Sequence, residues 1–151
     1  MNLPDVNTLI KGISIKQPYA ALMLHGKDET RVWKTSYRGW VLLCSSAKEY
    51  DLLQVTNISG IERTARLVSL LSEDLCEPKN GYAFAIGYLT NVVPMTVDDE
   101  TKCFVTYQEG LYRHIYTHVT PLPIPFPIKG KQLLFNLDYQ TKLQVLHQLL
   151  P

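Results

Sequence analysis

Short apolar runs separated by turn-forming residues predict five β-strands along this chain. In the strongest of them small residues occupy every second position, a pattern typical of a tightly curved barrel wall whose one face has to be thin. These residues are Ala83, Ala85 and Gly87, alternating with Tyr82, Phe84, Ile86 and Tyr88. The five predicted strands are residues 12–16, 40–44, 82–90, 111–120 and 131–137.

Capping residues and apolar spacing predict three helices. Pro18 fits the first position of a helix, where its missing N–H costs nothing, and Gly26 is the natural stop. Ser59 and Glu62 fit a capping box at the start of a second helix, and Asp138 is placed to cap a closing one. The predicted apolar stripes are Tyr19, Leu22 and Met23, then Ile61, Ala65, Val68, Leu71 and Leu75, and finally Leu143, Leu146 and Leu150.

Three segments lack a regular pattern. Residues 1–11 are predicted to be an irregular lead-in, and the acidic residues 94–103 a surface excursion. Four alternating prolines in 121–127 indicate an extended strap that cannot lie in a central strand. The strap should point Leu122, Ile124 and Phe126 into the core. The strand before it should place Tyr112, His114, Tyr116 and His118 on one face.

Curved strands punctuated by helices indicate the α+β class, with a small barrel and helices packed across its ends. The length of 151 residues suits one domain that buries a real core, and we find no internal repeat or linker. The sequence therefore predicts a single domain over residues 1–151.

The overall composition gives no argument for a particular partner, because the net charge is only +1 and charged residues make up 19% of the chain. The distribution of charge says more. Residues 11–38 are rich in lysine and arginine, whereas residues 73–100 are acidic. Such segregation predicts a basic face that the total charge hides.

The three cysteines, Cys44, Cys76 and Cys103, are odd in number and far apart, as expected for reduced thiols in the cytoplasm. His114 and His118 would lie about 13 Å apart on a strand, too far to share one metal. The first residues lack the features of a signal peptide, and no run has the length of a transmembrane helix. We therefore expect a cytoplasmic protein without a metal, a cofactor or a membrane partner.

The segment 26–39 concentrates the chemistry of the chain, with four cations, two carboxylates and two aromatic rings between two glycines. Lysine and arginine bind phosphate oxygens, and Trp33 and Tyr37 offer faces on which bases stack. The alternative is a solvated loop in which Glu29 pairs with Arg31 or Lys34 and Trp33 packs in the core. A third reading makes Lys27 and its neighbouring carboxylates an acid–base pair.

Several of these segments resemble the ASCH domain (activating-signal-cointegrator homology), a PUA-like β-barrel. Residues 13–20 are similar to its opening, residues 26–39 to its charged signature, residues 82–93 to its central strand and residues 127–135 to its closing segment. The resemblance covers residues 12–137 as an ASCH-like core, followed by a C-terminal helix over 138–151. Between Gly26 and Trp33 the chain is two residues shorter than the family pattern.

The resemblance implies a cleft beside the barrel that binds RNA or another single-stranded nucleic acid. The residues it brings there are Lys16, Gln17, Lys27, Glu29, Arg31, Lys34, Tyr37, Arg38, Lys129 and Lys131. Some family members are hydrolases, so the alternative is a small amidohydrolase or ribonuclease that uses Lys27 and Glu29, with Thr30 as a substitute nucleophile. A third possibility is a protein-interaction module that binds partners through the barrel rim.

Overall fold

A computed structural model describes residues 2–72 and 79–150. Within these ranges the fold is α+β, with a six-stranded sheet curled into a half-barrel and five α-helices. The strands are β1 (Leu9–Ile15), β2 (Glu29–Arg31), β3 (Gly39–Ser45), β4 (Tyr82–Pro94), β5 (Tyr112–Pro127) and β6 (Phe135–Asn136). The helices are α1 (Tyr19–Leu22), α2 (Leu52–Ser59), α3 (Ile61–Ser72), α4 (Glu100–Cys103) and α5 (Tyr139–Leu149).

The strand order is β2-β5-β4-β3-β1-β6, in which β1 and β3 are parallel and the other pairs antiparallel. All seven residues of β3 are buried, as the unbroken apolar run predicts. The pairing of β4 with β5 contains three register shifts, which bend the sheet. A Cβ atom on Gly87 would lie 3.2 Å from the ring of Tyr116. The Tyr116 ring thus packs closely against β4 at one of the small residues that the sequence predicts to make this strand thin.

Apolar clusters cover both faces of the sheet. The inner cluster joins the strands to α1 and α3 through side chains such as Leu22 and Leu67. The outer cluster joins them to α5, whose buried residue is Val145.

The sheet ends at β2 and β6, and β6 pairs only with Lys11 and Gly12, so the last residues of β1 have β3 as their one strand partner among the described residues. The charged segment 26–39 leads from the helical turn after α1 through β2 to β3.

The structure corrects the boundaries of several predicted elements and adds one strand. Residues 1–11 are not wholly irregular, because β1 begins at Leu9, and the last strand shrinks to Phe135–Asn136. The acidic segment 94–103 lies largely at the surface, as predicted, but it is not irregular. It contains a 3₁₀ turn with a capping box between Thr96 and Asp99, and it buries Met95 and Cys103. The three-residue strand β2 was not predicted at all, since its charged sequence has no apolar alternation.

The proline segment continues β5 rather than leaving the sheet, and it pairs with β4 at Pro121, Phe126 and Pro127. It does lie at an edge, as predicted, because β2 covers only the first residues of β5. Leu122 and Phe126 are buried, but Ile124 is 70% exposed and was wrongly assigned to the core. The Gln148 side-chain amide instead bonds to both the N–H and the C=O of Ile124, at 2.7 Å each.

The helix boundaries were predicted better than their buried faces. Gly26 ends the first helical segment in the left-handed conformation, and Asp138 caps α5 by accepting the N–H of Thr141. Ser59, however, belongs to the end of α2, and its hydroxyl hydrogen bonds to Tyr19 instead of capping α3.

The buried residues of α3 are Thr64, Leu67 and Leu71. Leu71 confirms the predicted stripe, but Ile61, Ala65 and Val68 are exposed. Leu75 lies outside the described residues. Leu150, which the sequence placed on the apolar stripe of the last helix, follows α5 and is exposed. His118 has a positive φ of 53° and points to solvent, which separates it from the buried His114. The predicted shared face of β5 was wrong at this position.

Cys44 and Cys103 are free and buried, and burial raises the pKa of their thiols to about 12 and about 11. Cys76 lies outside the described residues. Within those residues no cluster of histidine, cysteine or acidic side chains could hold a metal ion, and no helix is long and apolar enough to cross a membrane.

Candidate functional site

Lys27, Glu29 and Arg31 form a buried ion triad. Lys27 Nζ lies 2.9 Å from Glu29 Oε1, and Arg31 Nη2 lies 3.0 Å from Glu29 Oε2. Strand alternation in β2 places Glu29 and Arg31 on one face. The left-handed Gly26 ends the preceding helical segment, and Lys27 then turns inward, where its Nζ also donates to the Asp28 carbonyl at 2.8 Å. The ammonium group lies 5.4 Å from the centre of the Tyr19 ring.

The triad keeps Glu29 ionised. Burial by itself would raise the pKa of this carboxyl group, but Lys27 and Arg31 outweigh it and lower the pKa from 4.5 to about 2. A carboxylate whose pKa lies this far below neutral pH is a weak base. The Lys27 side chain is 0% exposed, so a substrate cannot touch its amine in this structure. The triad is thus built to hold charge in place rather than to transfer protons.

Arg31 connects β2 with the part of β1 that β6 does not cover. Its Nη2 donates to the Ser14 carbonyl at 2.9 Å, on the free edge of β1, while β2 itself pairs with β5. The side chain is 22% exposed, in contrast to the other members of the triad. Its remaining N–H groups have no hydrogen-bond partner in the described part of the chain. Glu29 therefore orients a guanidinium group that still has donors available to a ligand.

His114 lies opposite Glu29 in the pairing of β2 with β5. Its Nε2 is 2.9 Å from the Trp33 carbonyl, and its ring meets the Trp33 ring edge-on at 4.8 Å between centres. Burial lowers the pKa of His114, so the ring is neutral at physiological pH. His114 Nδ1 and the Tyr116 hydroxyl are buried polar atoms without a hydrogen-bond partner among the residues described. Both side chains lie close enough to Glu29 and Arg31 for these charges to influence their pKa values.

Two further cations of the charged segment, Lys34 and Arg38, are exposed. The Nζ atom of Lys34 lies 6.0 Å from the centre of the Tyr112 ring. The Nη1 atom of Arg38 donates to the carbonyls of Thr35 and Tyr37 at 2.8 Å each. Burial is the main cause of the lowered pKa of His114, and the positive charges of Arg31 and Arg38 both add to it.

Tyr37, the predicted stacking residue, is half-buried. Its hydroxyl donates to the Trp40 carbonyl at 2.8 Å, and its ring lies against Gly39. A Cβ atom on Gly39 would come within 2.9 Å of that hydroxyl, and Gly39 also has a positive φ of 147°. The position therefore requires glycine, and the ring of Tyr37 is held in a fixed orientation.

The basic segment near the C-terminus reaches the same region through Gly130. A Cβ atom on Gly130 would lie only 2.8 Å from Cβ and Oγ of Ser14, the residue whose carbonyl binds Arg31. Lys129 and Lys131, both exposed, therefore flank a contact with the end of β1. The fold brings together cations that lie about a hundred residues apart in the sequence.

Lys16 and Gln17 directly follow β1, whose Ser14 binds Arg31, and Thr30 lies on β2. Gln17 is buried and accepts the N–H of Ala21 at 3.1 Å, so it supports α1. Lys16 is exposed and lines a cleft of about 200 Å³ that Gln17 and Tyr50 also border. Thr30 lies between Glu29 and Arg31 on β2, so alternation turns its side chain to the opposite face. The structure does not bring the Thr30 hydroxyl to the triad, although the Thr30 backbone N–H donates to Glu29 Oε1 at 3.2 Å.

Sequence reasoning missed a second ion network beside the triad. The buried Asp28 accepts from Arg113 Nε at 2.9 Å, and Arg113 Nη1 lies 2.7 Å from Asp99. No spacing in the sequence links these three residues, because the contact depends on the pairing of β2 with β5. The roles of Ser14, His114 and Tyr116 were missed because their contacts also join residues that lie far apart in the sequence.

Replacing Gly130 with alanine should destabilise the protein by about 1–3 kcal/mol, because the new methyl group collides with Ser14 on a strand that cannot easily move. Urea unfolding measures the change. The double variant Gly130→Ala/Ser14→Gly removes the colliding atoms and should regain part of the loss. Equal stability of Gly130→Ala and the wild type would show that residues 129–131 are not held against β1.

Comparison of the chain with protein-family models and with curated proteins gives no match. The resemblance to the ASCH domain therefore remains a prediction from the sequence.

Proposed function

We propose that this chain binds single-stranded nucleic acid, with RNA as the first candidate. The binding surface consists of six cations that we call the basic rim: Lys16, Arg31, Lys34, Arg38, Lys129 and Lys131. The observation that carries the proposal is that the five exposed members, all except Arg31, have no ion-pair partner in residues 2–72 and 79–150. Cations left without carboxylates suit the phosphates of a nucleic-acid backbone.

The ion triad supports the same proposal. Two cations share the single carboxylate of Glu29, so the triad keeps one net positive charge. That charge reaches the surface through Arg31, whose planar guanidinium group matches phosphate oxygens. The bonds to Glu29 and Ser14 fix its orientation before a ligand binds, which reduces the ordering cost of binding.

The alternative of a hydrolase has less support from the geometry. Lys27 is enclosed, Glu29 is a weak base and Thr30 lies on the opposite face of β2. A catalytic use of these residues would require the triad to open. We also propose that the half-barrel is PUA-like and of the ASCH type, and that the protein works in the cytoplasm, where its buried Cys44 and Cys103 thiols would stay reduced.

Binding to short single-stranded RNA and DNA should fall steeply with salt. If all six rim cations contact phosphates, the slope of log K against log salt concentration should be about −4, at about −0.7 for each contact. Fluorescence anisotropy with labelled oligonucleotides at several salt concentrations measures this slope. Lys34→Ala should weaken binding and reduce the slope by about 0.7, and the pair Lys129→Ala/Lys131→Ala by about twice as much.

Arg66→Ala is a suitable control, because Arg66 is an exposed arginine on α3 that lines a groove with Thr101 and Phe104. It should leave both the affinity and the slope unchanged. Absence of binding to RNA and DNA at low salt, or binding that does not depend on salt, would contradict the proposal.

A further inference from the structure

A second cleft lies beside Arg38, between the first ten residues and the beginning of β3. Its volume is about 460 Å³, within the range of about 300–1,000 Å³ typical of small-ligand sites. Tyr37, Arg38, Trp40 and Tyr88 line the side formed by the sheet, and Asp5 and Asn7 belong to the opposite side. We call this the N-terminal cleft.

We propose that the N-terminal cleft holds one nucleobase of the strand whose phosphates bind the basic rim, with the base stacked on Tyr88. This inference rests on the proposed function and adds a base-binding subsite to it. The sequence pattern assigned Tyr37 and Arg38 to binding but gave no role to Tyr88, which it placed in a barrel wall.

The ring of Tyr88 is a partly exposed and well-supported surface. Tyr88 and Trp40 are cross-strand neighbours in the pairing of β3 with β4. Their rings meet edge-on, with centres 5.3 Å apart and an angle of 87° between planes. Trp40 is buried, whereas Tyr88 is only half-buried and lines the cleft. A ring held by a buried neighbour and partly open to a cleft provides a stacking face that loses little entropy when a base binds.

Arg38 joins this subsite to the basic rim. Its Nη1 is held by the carbonyls of Thr35 and Tyr37, which fixes the guanidinium group at the edge of the cleft. Nε and Nη2 have no hydrogen-bond partner in the residues that the structure describes. One side of the guanidinium group is therefore free to bind two oxygens of a phosphate.

The opposite side of the cleft sets the orientation of the ligand. Asp5 is the one carboxylate among the described lining residues, and its Oδ1 accepts the N–H groups of Asn7 and Thr8 at 2.8 and 3.1 Å. The negative charge of Asp5 disfavours a phosphate inside the cleft. Its carboxylate oxygens can accept hydrogen bonds from the amino group of a base. The base thus lies inside, against Tyr88, and the phosphate lies outside, at Arg38.

The test compares wild type, Tyr88→Leu and Tyr88→Phe in anisotropy titrations with an eight-nucleotide single strand. Tyr88→Leu keeps apolar bulk against Trp40 but removes the stacking face, and it should weaken binding about 5- to 150-fold, the range that corresponds to the loss of one base stack. Tyr88→Phe keeps the ring and should bind within about twofold of the wild type. The salt slope should be the same in all three, because no phosphate contact is removed.

A second set of oligonucleotides, each with one abasic position, checks that the lost contact is to a base. One abasic position should weaken binding to the wild type but not further weaken binding to Tyr88→Leu. Equal affinity of the wild type and Tyr88→Leu, with the salt slope of the basic rim intact, would overturn the subsite and leave the proposed function standing. Absence of binding by the wild type would overturn the proposed function itself.

Discussion

Replacing Glu29 with glutamine should destabilise the protein by about 3–5 kcal/mol, although the side chain keeps its shape. The variant leaves the ammonium group of Lys27 buried with no carboxylate beside it, and removing one partner of a buried ion pair typically costs this much. Arg31 loses the same partner but is partly exposed, so water can compensate there. The destabilisation therefore comes mainly from Lys27.

Urea unfolding followed by circular dichroism measures this change. Glu109→Gln is a matched control, because Glu109 is exposed and has no ion-pair partner in the described residues, and it should change stability by less than about 0.5 kcal/mol. The double variant Lys27→Met/Glu29→Gln removes the unpaired buried charge. Its loss of stability should therefore be much smaller than the sum of the losses in the two single variants. A loss of less than about 1 kcal/mol in Glu29→Gln would mean that Lys27 is not enclosed as described.

Acid should remove about 3 kcal/mol of stability through Glu29 alone. Its folded-state pKa is about 2, whereas its ordinary value is 4.5, so the folded protein favours the ionised carboxylate. For a pKa lowered in this way, the contribution is complete above pH 4.5 and is lost as the pH falls toward 2. The difference between the two pKa values corresponds to the stated energy.

Urea unfolding of wild type and Glu29→Gln at a series of pH values between 6 and 3 isolates this contribution. Hydrogen bonds from Thr96 and Thr141 also lower the pKa values of Asp99 and Asp138, so the wild type alone would report several carboxyl groups. Glutamine does not titrate, and the stability gap between the two proteins should therefore narrow as the pH falls. A gap that stays constant down to pH 3 would contradict the low pKa of Glu29.

A buried ion triad is an unusual way to stabilise a small domain, because apolar residues of similar size are often at least as stabilising. The structure gives a reason for keeping it here. Glu29 and Ser14 together fix Arg31 at the joint between β2 and β1, and Gly130 brings two more cations to the same joint. Under the proposed function, the buried ion pairs hold the basic rim in its binding geometry before the ligand binds, and this offsets the cost of burying charge.

Elements with a strong local pattern could be predicted from the sequence. The apolar run of β3, the small-large alternation of β4 and the caps at Gly26 and Asp138 depend on nearby residues alone, and all four are present. Buried faces such as that of α3 were predicted less well. An amphipathic pattern says that one side packs, but the direction depends on elements far away in the sequence.

The candidate site divides in the same way. The sequence by itself determined that residues 26–39 concentrate cations, carboxylates and aromatic rings, because composition is a local property. Only the tertiary structure decided which of these groups lie inside. The pairing of Glu29 with His114, residues 85 positions apart, turns Glu29 and Arg31 inward and Thr30 outward. A three-residue strand has no pattern of its own, so its register is set by β5 and by the ion pairs that it completes.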